Sequence, residues 1–134
     1  MTGEEVMRQF LPSSPFPGHL GIRLVDMGPG SATLGLPFAE ALVTAGTTVH
    51  GGAVAALIDT AGMVAAWSGG EVPDRLRGAT VGLTIAFLEP ADGEDLQASA
   101  SVLRRGRSIV HVDVDVRTAS GTAVAKGLVT YKLG

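Results

Sequence analysis

The stretch from Gly51 to Trp67, GGAVAALIDTAGMVAAW, constrains the fold more than any other part of the chain. It is rich in Ala and apolar on nearly every helical face, and a helix of that kind has to be buried on most sides. The apolar run from Ala53 to Trp67 is interrupted by Asp59 and falls short of the ~20 residues that cross a bilayer. The protein itself must therefore cover it. Gly62 lies inside the helix, where it costs about 1 kcal/mol of propensity against Ala; it marks a point where a neighbouring backbone comes close. Ser68-Gly69-Gly70 supplies the stop.

Strands provide the cover. Gly21 to Met27 and Ser31 to Phe38 read as strands around a Gly28-Pro29-Gly30 turn. After the helix, Ala79 to Leu88, Leu96 to Leu103, Ser108 to Thr118 and Thr122 to Lys132 follow one another across short turns, the pattern of an antiparallel sheet. In the clearest of them Val110, Val112, Val114 and Val116 point one way, while His111, Asp113 and Asp115 point the other. Residues 2–11 predict a short amphipathic helix carrying Val6, Met7, Phe10 and Leu11, broken by Pro12, Pro15 and Pro17. Residues 39–49 read as irregular. The expected class is α+β, a curved six-stranded antiparallel sheet wrapped around a long central helix, in one domain over residues 1–134. Such a sheet keeps two edges that invite pairing, and the helix has more apolar surface than one sheet covers. A homodimer answers both demands.

Composition removes other classes. Charged residues make up 17% of the chain and its mean hydropathy is +0.33, which excludes global disorder. The chain has no Cys, hence no disulfides and no thiolate chemistry. A net charge of −3 argues against a generic nucleic-acid partner. The first residues, Met-Thr-Gly-Glu-Glu, have neither the basic nor the apolar region of a signal peptide, so a cytoplasmic protein without membrane attachment is expected. Charge is unevenly spread: residues 1–100 hold four Arg against eleven acids, and residues 101–134 hold four Arg and two Lys against two Asp. Arg104, Arg105 and Arg107 lie in the basic part, where a solvated turn and an anion site are both open readings.

Two features of the central helix carry chemistry. It opens on His50-Gly51-Gly52, and a helix N-terminus has unpaired N–H donors and a partial positive charge, suited to a carbonyl oxygen that becomes an oxyanion. Asp59 is the only charged residue between Glu40 and Glu71. An unpaired carboxylate in apolar surroundings is expensive, so Asp59 is either bonded to a neighbour for structure or kept there as a working carboxylate. Eight residues of helix put Gly51 and Asp59 about 12 Å apart and about 80° round. One small acyl group cannot touch both in one chain. If both act on it, the second must come from another subunit, through an antiparallel pair of helices.

These residues resemble hotdog-fold acyl-CoA thioesterases of the PaaI-like, phenylacetate-degradation group. The resemblance runs through Pro15-Phe16, His19-Leu20-Gly21-Ile22, then His50-Gly51-Gly52 with Asp59 and Ala61. It continues through Thr80-Val81, Leu83, Ile85, Phe87-Leu88 and Pro90-Ala91, to Arg104-Arg105-Gly106-Arg107 before the valine strand. It implies hydrolysis of an acyl- or aryl-acyl-CoA, with Asp59 activating water or attacking the thioester carbonyl and the Gly51 N–H polarising that carbonyl. Thr80 helps place the water. Gly52, the strand end at Leu88, Glu89 and Pro90, and the basic Arg104 and Arg107 are expected along the coenzyme A site. Coenzyme A belongs to the substrate; no cofactor and no metal is implied, and the assembly is a homodimer paired again into a homotetramer. His50 is expected to orient its loop by hydrogen bonding rather than serve as base.

The chain departs from this pattern at one place. Where the family usually has an amide, six residues before the histidine, this chain has Thr44, or Val43 if the register shifts by one. A hydroxyl from Thr44, Thr47 or Thr48 is the available substitute. The missing amide is also the motive for an alternative, a non-catalytic protein that binds or senses acyl-CoA. His111, Asp113 and Asp115 are expected to form a surface face rather than a metal site, and Trp67 to belong to the core.

Overall fold

The computed structural model describes residues 1–134. Helix α1 (Gly3–Phe10) starts on a reciprocal cap, in which the Thr2 hydroxyl accepts from the Glu5 N–H and the Glu5 carboxylate accepts from the Thr2 N–H. A single 3-10 turn at Leu11–Ser13 leads to α2 (Pro15–Leu20). The prolines expected to end helical structure instead reopen it. At a first helical position the missing N–H is no loss and the fixed φ already suits a helix, and Gly21, at φ +87°, ends the turn.

Strands β1 (Arg23–Gly28) and β2 (Ser31–Leu36) follow. Residues 39–49, expected to be irregular, contain a 3-10 turn and a small hairpin of β3 (Val43–Ala45) and β4 (Thr48–Val49). Then come the central helix α3 (Gly51–Trp67) and β5 (Gly78–Phe87), β6 (Leu96–Arg105), β7 (Ile109–Thr118) and β8 (Ala123–Leu133). The large sheet is antiparallel throughout, in the order β1-β2-β6-β7-β8-β5. This is the expected α+β arrangement, with α3 packed on one face. Val110, Val112, Val114 and Val116 are buried in the core beside Leu57, Ile58, Ala61 and Val64 of α3. No helix is long and apolar enough to cross a membrane.

Small residues set how near the helix lies to the sheet. A Cβ added at Gly62 would stand 2.7 Å from three carbons of Val129, and one at Gly127 would stand 2.5 Å from Ile58 Cγ2. The close neighbour at Gly62 is thus a β8 side chain, not the backbone expected from the sequence. Gly62→Ala is expected to cost about 1–3 kcal/mol by overpacking, read as a lower midpoint in urea. Adding Val129→Ala should return part of that loss, because the two positions share one gap; strictly additive losses would show that Val129 is not the obstacle.

The C-terminal end of α3 is closed by Arg105, whose guanidinium donates to the carbonyls of Ala66 at 2.8 Å and Ser68 at 3.1 Å. A cation there also complements the helix dipole. Arg105 is therefore a structural cap, neither a solvated turn residue nor a free anion contact. Trp67 belongs to the core as expected, its indole N–H donating to the Tyr131 hydroxyl at 2.9 Å.

Two surfaces stay uncovered. On α3, Gly52, Ala55, Ala56, Asp59 and Met63 are at least partly exposed, while every other residue from Ala53 to Trp67 is buried. Their spacing makes one stripe along the helix. Beside it, edge strand β5 exposes Val81, Leu83 and Phe87. The opposite edge, β1, differs: it carries exposed Arg23 and Asp26 and a bulge between Leu24 and Asp26.

Candidate active site

The start of α3 is arranged around His50. Its backbone carbonyl accepts from the N–H groups of Ala53 and Val54, and its Nδ1 accepts from the Gly52 N–H at 2.7 Å. Of the four N–H groups that a helix start leaves without intrahelical partners, those of His50, Gly52 and Ala53 are engaged, the His50 N–H by the Leu42 carbonyl at 2.7 Å. The Gly51 N–H has no partner in the protein. The bond at Nδ1 also selects the tautomer: a ring nitrogen that accepts carries no proton, which puts the ring N–H at Nε2. The same bond ties the ring to the first turn of the helix. The Gly52 N–H is the donor in this contact, and a Cβ there would lie 2.8 Å from Nδ1.

An open cleft of about 400 Å³ lies against Gly51. It is lined by Thr44, Thr48, His50, Gly51 and Val54, and by the chain leaving β5 at Phe87, Leu88, Glu89 and Pro90. The Phe87 ring stands 3.5 Å from where a Gly51 Cβ would be, so the ring forms a wall beside the free N–H. Thr44, at the position of the missing amide, is exposed on the rim. A brace with no trace in sequence holds the cleft: the Thr48 hydroxyl donates to Asp92 Oδ1 at 2.6 Å, across 44 positions of chain.

Asp59 lies two turns further along α3, on the uncovered stripe. Its Oδ1 accepts from the Thr80 hydroxyl of β5 at 2.6 Å. Oδ2 has no protein partner. One bond therefore fixes the carboxylate against the sheet, and the other oxygen keeps some exposure to solvent. Asp59 is thus bonded to a neighbour through one oxygen, and the other has no protein partner.

The structure groups the predicted residues into three places. Thr44, His50, Gly51, Leu88, Glu89 and Pro90 meet in the cleft; Asp59 and Thr80 form a pair; Arg104, near the end of β6, and Arg107, in the β6–β7 turn, lie at the other end of the sheet beside the C-terminus of α3. Across β7, Lys126 donates to Asp113 at 2.7 Å and Asp115 at 3.1 Å, and the Asp113 contact first of all raises its pKa above the ordinary lysine value. His111 meets Thr130. Sequence reasoning missed Tyr131. Its hydroxyl is buried beside Trp67, and burial, with a smaller contribution from the Asp59 charge, pushes its pKa up against the opposing bond from Trp67.

Residues 46–125, more than half of the chain, match the thioesterase superfamily. Human acyl-coenzyme A thioesterase 13 is 31% identical over 133 residues, covering 97% of this chain and 93% of the human protein. Among solved structures, a thioesterase family protein from Silicibacter pomeroyi superposes with a TM-score of 0.89 at 27% identity, over 98% of this chain and 99% of that one. The PaaI protein of Escherichia coli, from the phenylacetic acid degradation operon, shares the fold with a TM-score of 0.86 at 23% identity, over 98% of this chain and 94% of that one. The chain belongs to the thioesterase superfamily, as a hotdog-fold thioester hydrolase.

Proposed function

We propose that the protein hydrolyses acyl-CoA thioesters at two equivalent sites, each shared between the chains of a homodimer. The observation that carries this reading is the pairing of a free Gly51 N–H with a carboxylate, Asp59, fixed through one oxygen only. In one chain the two are separated by two helical turns. A two-fold axis passing α3 at Ala55 lies midway between Gly51 and Asp59. The same axis passing β5 between Leu83 and Thr84 lies midway between Phe87 and Thr80. Pairing of β5 edges about that axis sets Asp59 and Thr80 of one chain against the cleft of the other. It also covers Val81, Leu83 and Phe87, the exposed apolar residues of that edge, and satisfies the unpaired backbone groups of the strand.

In such a site the thioester oxygen accepts from the Gly51 N–H, which strengthens as charge builds on it. Asp59 of the other chain takes a proton from water through Oδ2, or attacks the carbonyl itself. With water as nucleophile, a C–O bond forms, the C–S bond breaks and the proton passes to the departing thiolate, yielding acid and free thiol. Coenzyme A enters as the leaving half of the substrate. In the antiparallel dimer, Arg104 and Arg107 of the chain donating Asp59 lie toward the end where the other chain's cleft opens, and their charge suits the phosphates.

The direct test is thiol release from a panel of acetyl-, butyryl-, octanoyl- and phenylacetyl-CoA, together with sedimentation of the purified protein. Turnover by a dimer or larger assembly is expected. Saturable acyl-CoA binding with no thiol released from any member would establish the non-catalytic binding protein instead, and an active monomer would rule out the shared site.

A further inference from the structure

The two walls of the cleft come from distant parts of the chain. One is the β3–β4 hairpin, a small sheet of its own that carries Thr44 and Thr48; the other is the chain that leaves β5, from Leu88 to Ala91. A short ladder laces them together. The Val49 N–H donates to the Ala91 carbonyl at 2.8 Å, and the Gly93 N–H donates back to the Thr47 carbonyl at 2.9 Å. Gly93, at φ +63°, lets the chain turn there. Between these bonds Thr48 and Asp92 meet as an antiparallel bridge, and their side chains add the bond of 2.6 Å. Its acceptor is a carboxylate, which makes it stronger than a bond between neutral groups. A threonine hydroxyl has a single proton to donate, and in Thr48 it goes to Asp92.

We propose that Thr48 and Asp92 are a positioning pair, whose bond sets the width of the cleft and so the fit of the substrate between its walls. The inference rests on the reading of the cleft as the place where the thioester meets the Gly51 N–H. Thr48 stands two residues before His50, and Asp92 two residues after Pro90, so the bond joins the approach to α3 to the wall opposite. The Gly51 N–H is held by other means: the His50 N–H donates to the Leu42 carbonyl, and His50 closes the first turn of α3. Without the side-chain bond the hairpin keeps its backbone contacts but loses its lateral stop, and the cleft takes a spread of widths. Ground state and transition state sit between the same walls and lose alike, which raises KM and leaves kcat in place. The loss falls on the part that every acyl-CoA shares, so it is the same for short, long and aryl chains.

The test is kcat and KM for acetyl-, octanoyl- and phenylacetyl-CoA in wild type, Thr48→Val, Asp92→Ala and the double variant. Each single variant should raise KM for all three substrates by about five- to tenfold, the scale of one hydrogen bond, with kcat held within about twofold. The double variant should raise KM no further, because the same bond is lost in each case. Thr48→Ser, which restores the hydroxyl, should bring KM back to near the wild-type value. A bond with a purely structural role would lower the urea midpoint and leave KM unmoved, and that result overturns the proposal. So does a rise in KM with Thr48→Val alone, which would mean that the hydroxyl itself touches substrate, and so do additive losses in the double variant. Should Thr48→Val fail to fold, Asp92→Ala, at an exposed position, carries the same expectation. The underlying reading fails differently: Gly51→Pro would then hydrolyse all three substrates at wild-type rates.

Discussion

Asp59→Asn is expected to fold, to assemble as wild type does, and to lose acyl-CoA hydrolysis by about 10²–10⁴-fold, the range supplied by a positioned base. The amide matches the carboxylate in shape and can still accept from the Thr80 hydroxyl through its carbonyl oxygen. What disappears is the basic Oδ2. The loss should therefore fall on kcat, with KM little moved, because no substrate-binding surface changes. Removing a partly exposed charge from an apolar helix should leave the urea midpoint unchanged or higher. Full activity in a folded Asp59→Asn would end the case for this carboxylate.

Gly51→Pro is expected to lower kcat by about 10²–10³-fold, the usual cost of deleting one oxyanion donor. The substitution is unusually clean at this position. Proline is favoured at the first turn of a helix, where its missing N–H breaks no intrahelical bond. The residue before it must be extended, and His50 already is, at φ −61° and ψ 135°. The lost N–H is the one with no protein partner, so stability should hold while turnover falls. Mixing the two variants then tests their sharing. After reassembly, half of the dimers are hybrids with one intact site, and about a quarter of wild-type activity should return, as two-fold symmetry requires. A site built within one chain would recover nothing.

Much of this was legible in sequence because the governing signals are local. The helix from Gly51 to Trp67 stands where the all-apolar run puts it, and each long strand begins and ends within two residues of its expected limits. Asp59 was conspicuous because nothing near it in the chain is charged. What escaped depends on distant partners or on a local rule that works both ways. Proline reads as a breaker, yet Pro15 begins a helix. Arg105 looked like one of a basic cluster; only the folded chain brings the carbonyls of Ala66 and Ser68 to it, 39 and 37 positions away. A cavity between α1, the end of α3 and the start of β5 draws on residues 1–10, 63–67, 76–78 and Tyr131, a set that no periodicity connects. The His50 tautomer follows from a single bond to Gly52, and no residue pattern encodes it.

The unlike edges of the sheet also set what the proposed dimer could add. An edge that recognises its own copy about a two-fold axis is consumed when two chains meet. The far edge, with Arg23, Asp26 and the bulge between Leu24 and Asp26, offers charge and a break in the ladder where a third chain would have to add. If β5 edges pair as proposed, strand-to-strand growth terminates at two chains, and the exposed β structure is kept from continuing into a fibre.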